Sequence, residues 1–206
     1  ARRRIPRGVA LGHSALVAVV VPFYLVHYTW RNFLWFSDVA LLGMAYALWR
    51  EDRLVASTLA VGTLAFETAW LLDFLLALAL GSSPAGITRY MFDRETPLYL
   101  RGLSLFHAEL PLLLAATVRR LGYDPRAWRH ASVGGGALLI LTWLLTGPDR
   151  NINWVYGPAV VQETLPGPLY LALYVAVLPF LVFRPTHWLL SRPFFRGAGA
   201  GEPAAP

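Results

Sequence analysis

The chain has 206 residues, 56% of them hydrophobic and 15% charged, with a formal net charge of +6. Soluble domains carry about a quarter charged residues, so a deficit of this size points to several membrane spans in one helical bundle. All 18 basic residues are arginine and cysteine is absent, which excludes lysine Schiff-base chemistry, thiolate nucleophiles, thiolate-held metals and disulfides.

In chain order, Arg2, Arg3, Arg4 and Arg7 precede an apolar run over residues 9–28. The run is long enough to span and no A-x-A-type cleavage site follows it, so it reads as an uncleaved first helix, kinked near Pro22. A second segment covers residues 33–49 and a third, after the turn RED, residues 54–80. The loop GSSPAGITRYMFDRETP is rich in Pro, Gly and Ser and reads as irregular. A fourth segment over 98–118 follows, ended by RRLGYDPR, and then a fifth over 131–146, where the glycines at 134–136 allow close helix approach. A second long loop, GPDRNINWVYGPAVVQETLPGP, leads to a sixth segment over 169–183. Residues 1–191 thus form one transmembrane domain, and residues 192–206, ending GAGAGEPAAP, are expected to be a disordered cytoplasmic tail.

The fold class expected is all-α, a polytopic membrane bundle of about six helices. Six segments put both termini on one side. Arg31, Arg89, Arg94, Arg101 and Arg150 fall on the opposite side and the remaining thirteen arginines on the side of the termini. The positive-inside rule then makes both termini cytoplasmic in a bacterial inner membrane and leaves the two long loops outside. Because the basic residues sit at segment ends, their pattern is topogenic and no nucleic-acid partner is expected.

Ionisable groups inside apolar spans are the strongest functional signal. The stretch YLRGLSLFHAELP, residues 99–111, carries Arg101, Ser104, His107 and Glu109, and FETAWLLD, residues 66–73, carries Glu67 and Asp73. At about 100° per residue, Glu67, Trp70 and Asp73 form one slanting stripe with Thr63, and Arg101, Ser104 and His107 form another. Glu109 points away from His107, toward a different contact. Asp38, near the outer end of the second segment, converges on the same outer half of the bundle. Two acids near the centre of one span cost roughly 2.5 to 3.5 kcal/mol each, which nearly cancels that segment's apolar gain and calls for partners; Arg101 and His107 are the obvious ones.

The alternative is that these are buried ion pairs fixing helix register. His27 fits an interfacial hydrogen bond, His13 and His187 fit structural roles, and His130 follows Arg129 at a helix start. Trp30, Trp35, Trp154 and Tyr156 fit an interfacial aromatic belt. Asp149, Asn151 and Asn153 either cap helices or close over the site. HExxH, GxSxG, a Walker lysine and GxGxxG are all missing, and the spacing of the histidines and acids gives no metal signature, so neither metal nor cofactor is expected.

Taken in order, NFLWFSD at 32–38, RYMFD at 89–93, LFHAELP at 105–111 and NINWVYGP at 151–158 resemble a group of bacterial six-pass integral membrane proteins. More distantly, the layout is similar to the androgen-induced-gene family of intramembrane hydrolases, which cleave fatty-acid esters of hydroxy fatty acids with a threonine and a histidine. That resemblance implies a six-pass fold and a site at His107. In the matching stretch Trp35 stands where that family has its threonine, with Ser37 two residues on.

Three functions stay open on these grounds. One is an intramembrane enzyme acting on a lipid, with His107 as general base, Asp38, Glu67 or Asp73 orienting it, and Arg101, Ser104, Trp70 and Asn153 contacting substrate. Its nucleophile would be Ser104, Ser37 or water. Another is a non-catalytic subunit with membrane-protein partners, holding a cofactor such as haem between His27 and His107. The third is a proton-linked transporter, for which neither paired halves nor a polar path to the cytoplasm is evident.

Overall fold

The computed structural model describes residues 4–158 and 160–195, and every regular element in them is helical. The elements are α1 (Arg7–Tyr28), α2 (Phe36–Arg50), α3 (Arg53–Leu80), α4 (Leu98–Leu103), α5 (Phe106–Leu121), α6 (Ala127–Leu145), α7 (Gly167–Leu178) and α8 (Arg184–Leu190), with short 3-10 turns between several of them. The ends follow local chemistry. Asp52 caps α3, its carboxylate accepting from the Val55 N–H at 3.0 Å, and Gly81 ends α3 at a φ of +73° that suits glycine.

Among the described residues, three helices are long and apolar enough to cross a membrane: α1, α3, and the continuous run Gly167–Leu190 through α7 and α8. With 15 residues in α2 and 16 in α5, these two fall short of the roughly 20 that a perpendicular span needs. Large apolar side chains face outward around the bundle, among them Val26 at 80% exposure, Val133 at 75% and Leu181 at 71%. A surface of this kind requires an apolar surrounding.

The centre of the bundle is α3, which packs against α2, α5, α6 and α8. Its buried small residues Ala56, Ser57, Ala60 and Thr63 suit close helix packing, the usual device where helices pack without water to expel. Of the glycines at 134–136, two serve a close approach: a Cβ on Gly135 would meet the buried Phe183 ring at 3.0 Å and one on Gly136 would meet Val175 at 3.3 Å, while Gly134 faces open space.

Several segments differ from the expectation. The fourth is broken into α4 and α5 at Ser104 and Leu105, where the His107 N–H bonds back only three residues, to the Ser104 carbonyl at 3.1 Å. Pro111, inside α5, has no N–H to offer the His107 carbonyl one turn earlier, so this helix is irregular just where the polar residues sit. The sixth segment runs on to Leu190 rather than stopping at 183, through a π turn at Pro179–Phe183 where proline interrupts the ladder. Of the tail, Pro193–Phe195 form a 3-10 turn whose Phe195 carbonyl accepts from the Tyr123 N–H at 2.8 Å. The rest of the tail, residues 196–206, lies outside the described residues, as do Arg2, Arg3 and Arg196 of the topology argument.

Candidate functional site

The site forms where the middle of α3 faces the start of α5. His107 Nδ1 lies 2.8 Å from Glu67 Oε2, with the glutamate side chain 4% and the imidazole 16% exposed. A carboxylate can only accept, so Nδ1 carries the hydrogen of this contact. Nε2 makes no hydrogen bond among the described residues. The ring is held by stacking, on Trp70 at 5.0 Å and 22° and on Phe106 at 4.1 Å and 26°.

Next to it is a set of hydroxyl contacts. Trp70 Nε1 donates to the Tyr90 hydroxyl at 3.2 Å. Beside it, Ser104 Oγ meets the Tyr24 hydroxyl at 3.2 Å and the Leu100 carbonyl at 3.1 Å. The Leu100 carbonyl only accepts, so it takes the serine proton, and Tyr24 donates to Ser104 Oγ. With its proton committed and no contact to His107, Ser104 is not arranged as a nucleophile. Burial pushes the Tyr90 hydroxyl up to about 12, so Tyr90 stays a donor at neutral pH.

Asp38 joins from the first turn of α2, where the helix N-terminus favours an acid. It is 2% exposed, interacts electrostatically with Glu67, and takes one long hydrogen bond, from Asn32 Nδ2 at 3.4 Å. Its Oδ1 is buried without a partner. Arg101, in α4, donates to the Met91 carbonyl at 3.3 Å; its Nε is buried and unpartnered, and no carboxylate pairs with it among the described residues. A guanidinium left like this is suited to an incoming anion.

Two residues expected at the site have other work. Asp73 does not reach His107. Its carboxylate is filled by four donors from the following loop: Ser83 Oγ at 2.6 Å, the Ala85 N–H at 2.8 Å, and the Thr88 N–H and Oγ1 at 2.9 and 2.8 Å. It pins the loop that carries Tyr90 over Trp70. Asn153, expected to touch substrate, is instead saturated by protein. Its Oδ1 accepts from the Phe36 N–H at 3.0 Å, capping α2, and its Nδ2 donates to the Leu34 carbonyl at 2.6 Å. Asn151, Asn153 and Trp154 all have positive φ, strain held by that docking. Trp70 packs on the imidazole and reads as a positioning residue rather than a substrate contact.

Sequence reasoning missed Tyr24, Tyr90 and Asn32; the only signal was a hydroxyl or amide near an apolar segment, with nothing to say which way it turned. It also missed a second histidine–carboxylate pair. Glu109 Oε1, on the far face of α5, lies 3.2 Å from His13 Nδ1, and His13 Nε2 lies 2.9 Å from the Leu41 carbonyl. His27 is engaged at both nitrogens, by the Tyr99 hydroxyl at 2.7 Å and the Phe23 carbonyl at 2.8 Å, so it is not free to share a haem with His107. No group of three or more His, Asp or Glu lies within reach of one metal ion among the described residues. Compared with family models, curated proteins and solved structures, the chain matches none of them.

Proposed function

We propose that the chain is a six-pass integral membrane hydrolase of a bacterial inner membrane, with both termini cytoplasmic, acting on an ester bond of an anionic amphiphile that enters from the outer leaflet. The observation that carries this reading is the His107–Glu67 contact at 2.8 Å with Nε2 unengaged. It is the arrangement of a general base oriented by a buried acid. Ser104 has its proton committed to the Leu100 carbonyl, Trp35 offers no hydroxyl and Ser37 makes no hydrogen bond to His107 among the described residues, so water is the nucleophile. Nε2 takes one proton from the water as its oxygen bonds to the ester carbon. The tetrahedral oxyanion then collapses, the C–O bond to the alcohol breaks, and the imidazolium returns that proton to the leaving alkoxide. Products are the acid and the alcohol. Arg101 takes the anionic group.

Purified protein in mixed micelles with a broad lipid set, read by untargeted mass spectrometry, tests this. Wild type converts at least one ester lipid to its acid and alcohol, and His107→Ala does not while keeping its melting temperature. Equal conversion by both, or by neither, overturns it.

A further inference from the structure

A second site, unrelated to the His107 chemistry, lies between the N-terminal end of α1 and the outer face of α5. A groove of about 310 Å³ is walled by Ile5, Pro6, Val9, Leu112, Leu113 and Ala116, with Glu109 at one end and Arg120 at the other. Between these two residues α5 rises about 16 Å, close to the depth of one leaflet's hydrocarbon.

The two ends differ in charge. At the Arg120 end, Arg120 Nη1 donates to the Arg4 carbonyl at 3.3 Å, and Arg4 Nη1 donates to the Leu121 carbonyl at 3.4 Å. These two bonds bring both arginines to the same end of the groove, and neither has a carboxylate partner among the described residues. The nearby acid Glu51 accepts from the Ile5 N–H at 2.9 Å. Two like charges at one end of an apolar groove favour an anion between them. At the other end, the Leu41 carbonyl obliges His13 Nε2 to carry a hydrogen, so the Nδ1–Glu109 contact needs a further proton between them. Whichever partner holds it, the pair is neutral overall, and this end of the groove suits an apolar chain.

We infer that this groove binds an anionic glycerophospholipid, with one acyl chain lying along Val9, Leu112 and Ala116 and the phosphate bridging Arg4 and Arg120. Basic pockets beside membrane helices hold such head groups, at about 1 kcal/mol for each arginine.

The test is native mass spectrometry of the full chain, titrated in detergent with phosphatidylglycerol and with phosphatidylcholine of the same chain length. The expected result is selective retention of phosphatidylglycerol, reduced about 25-fold in the Arg4→Ala, Arg120→Ala double variant and lost in Ala116→Trp. Ala116 is exposed in the groove, so the indole fills it without entering the core; Val9→Trp does the same from the opposite wall. Equal retention of the two lipids would make this an ordinary lipid-facing surface. Displacement by inorganic phosphate alone would reduce it to an anion site without a groove. Loss of a dimer peak, rather than of lipid, in the tryptophan variants would give the groove to a second copy of the chain. Each of these three outcomes overturns the inference, and the wild-type lipid comparison decides even if the variants fold poorly.

Discussion

The molecule contains two histidine–glutamate pairs, both using Nδ1 and both involving α5, and they are opposites. At His107–Glu67 the second ring nitrogen is unengaged and open to an incoming group. At His13–Glu109 the Leu41 carbonyl takes the second nitrogen, so no ring nitrogen is left to offer. The same two residue types, 2.8 and 3.2 Å apart, thus give an open nitrogen in one place and a fastening in the other. What decides is the atom opposite Nε2.

The sharpest way to break this comparison is to make the same substitution in both pairs. In Glu67→Gln the amide can donate to Nδ1, which moves the ring hydrogen to Nε2 and removes the base. Turnover should fall up to about 10⁴-fold, as far as in His107→Ala, whose loss should lie in the range of roughly 10²- to 10⁴-fold. In Glu109→Gln the amide mimics a protonated glutamate beside His13, and both turnover and melting temperature should stay near wild type, within about 0.5 kcal/mol of stability. Equal activity losses from the two glutamine variants would mean that the pairs are not distinct.

Next in size is Asp73→Ala, which strands four loop donors. It should cost about 3 kcal/mol or more in denaturant unfolding and slow turnover by releasing Tyr90. A variant as stable as wild type would show that Asp73 does not pin the loop. Smaller again, His13→Leu leaves the Leu41 carbonyl and Glu109 unpartnered and should lower stability by roughly 1 to 3 kcal/mol, with the rate constant of the remaining folded protein unchanged. A rate loss like that of His107→Ala would make the inner pair part of the reaction.

The smallest effect is at an ordinary ion pair, which serves as the reference. Hydrogen bonding from Arg126 holds the Asp124 carboxyl below the usual carboxylate range, with Oδ2 and Nη2 2.9 Å apart. A lowered folded value means that this contribution is present above the unfolded value of about 3.9 and is lost as pH falls through the folded one. Melting followed from pH 6 down to about pH 2 should therefore fall less steeply in Arg126→Ala than in wild type; identical slopes would remove Arg126 as the cause. Because Arg126 is largely exposed, the difference should be small.

Much of the bundle was legible because hydrophobic runs record burial directly. The helical content, the turn at Asp52 and the close approach at Gly135 and Gly136 all follow from which residues tolerate an apolar or crowded surrounding. The approach of Glu67 to His107 was readable as a stripe of polar groups on each of two spans, since an acid in an apolar span needs a partner. The break at Ser104 was not readable. It depends on hydrogen bonds reaching back three residues rather than four, and a regular 100° step hides it. Asp73 illustrates a further limit, because its spacing from Glu67 places it on the right face of α3, yet the loop folding back over Thr88 takes its carboxylate.

The sequence by itself determined that this chain is helical, that several of its helices suit an apolar surrounding, and that a few ionisable groups must be buried among them. Those properties reside in each residue's own cost of transfer from water. Only the tertiary structure decided which histidine keeps an open nitrogen and which is a fastening, and that Ser104, Asp73 and Asn153 are already satisfied. A hydrogen-bonding group acquires its role from the particular atom it faces, and that atom can lie more than a hundred positions away in the chain, 119 between Asn153 and Leu34.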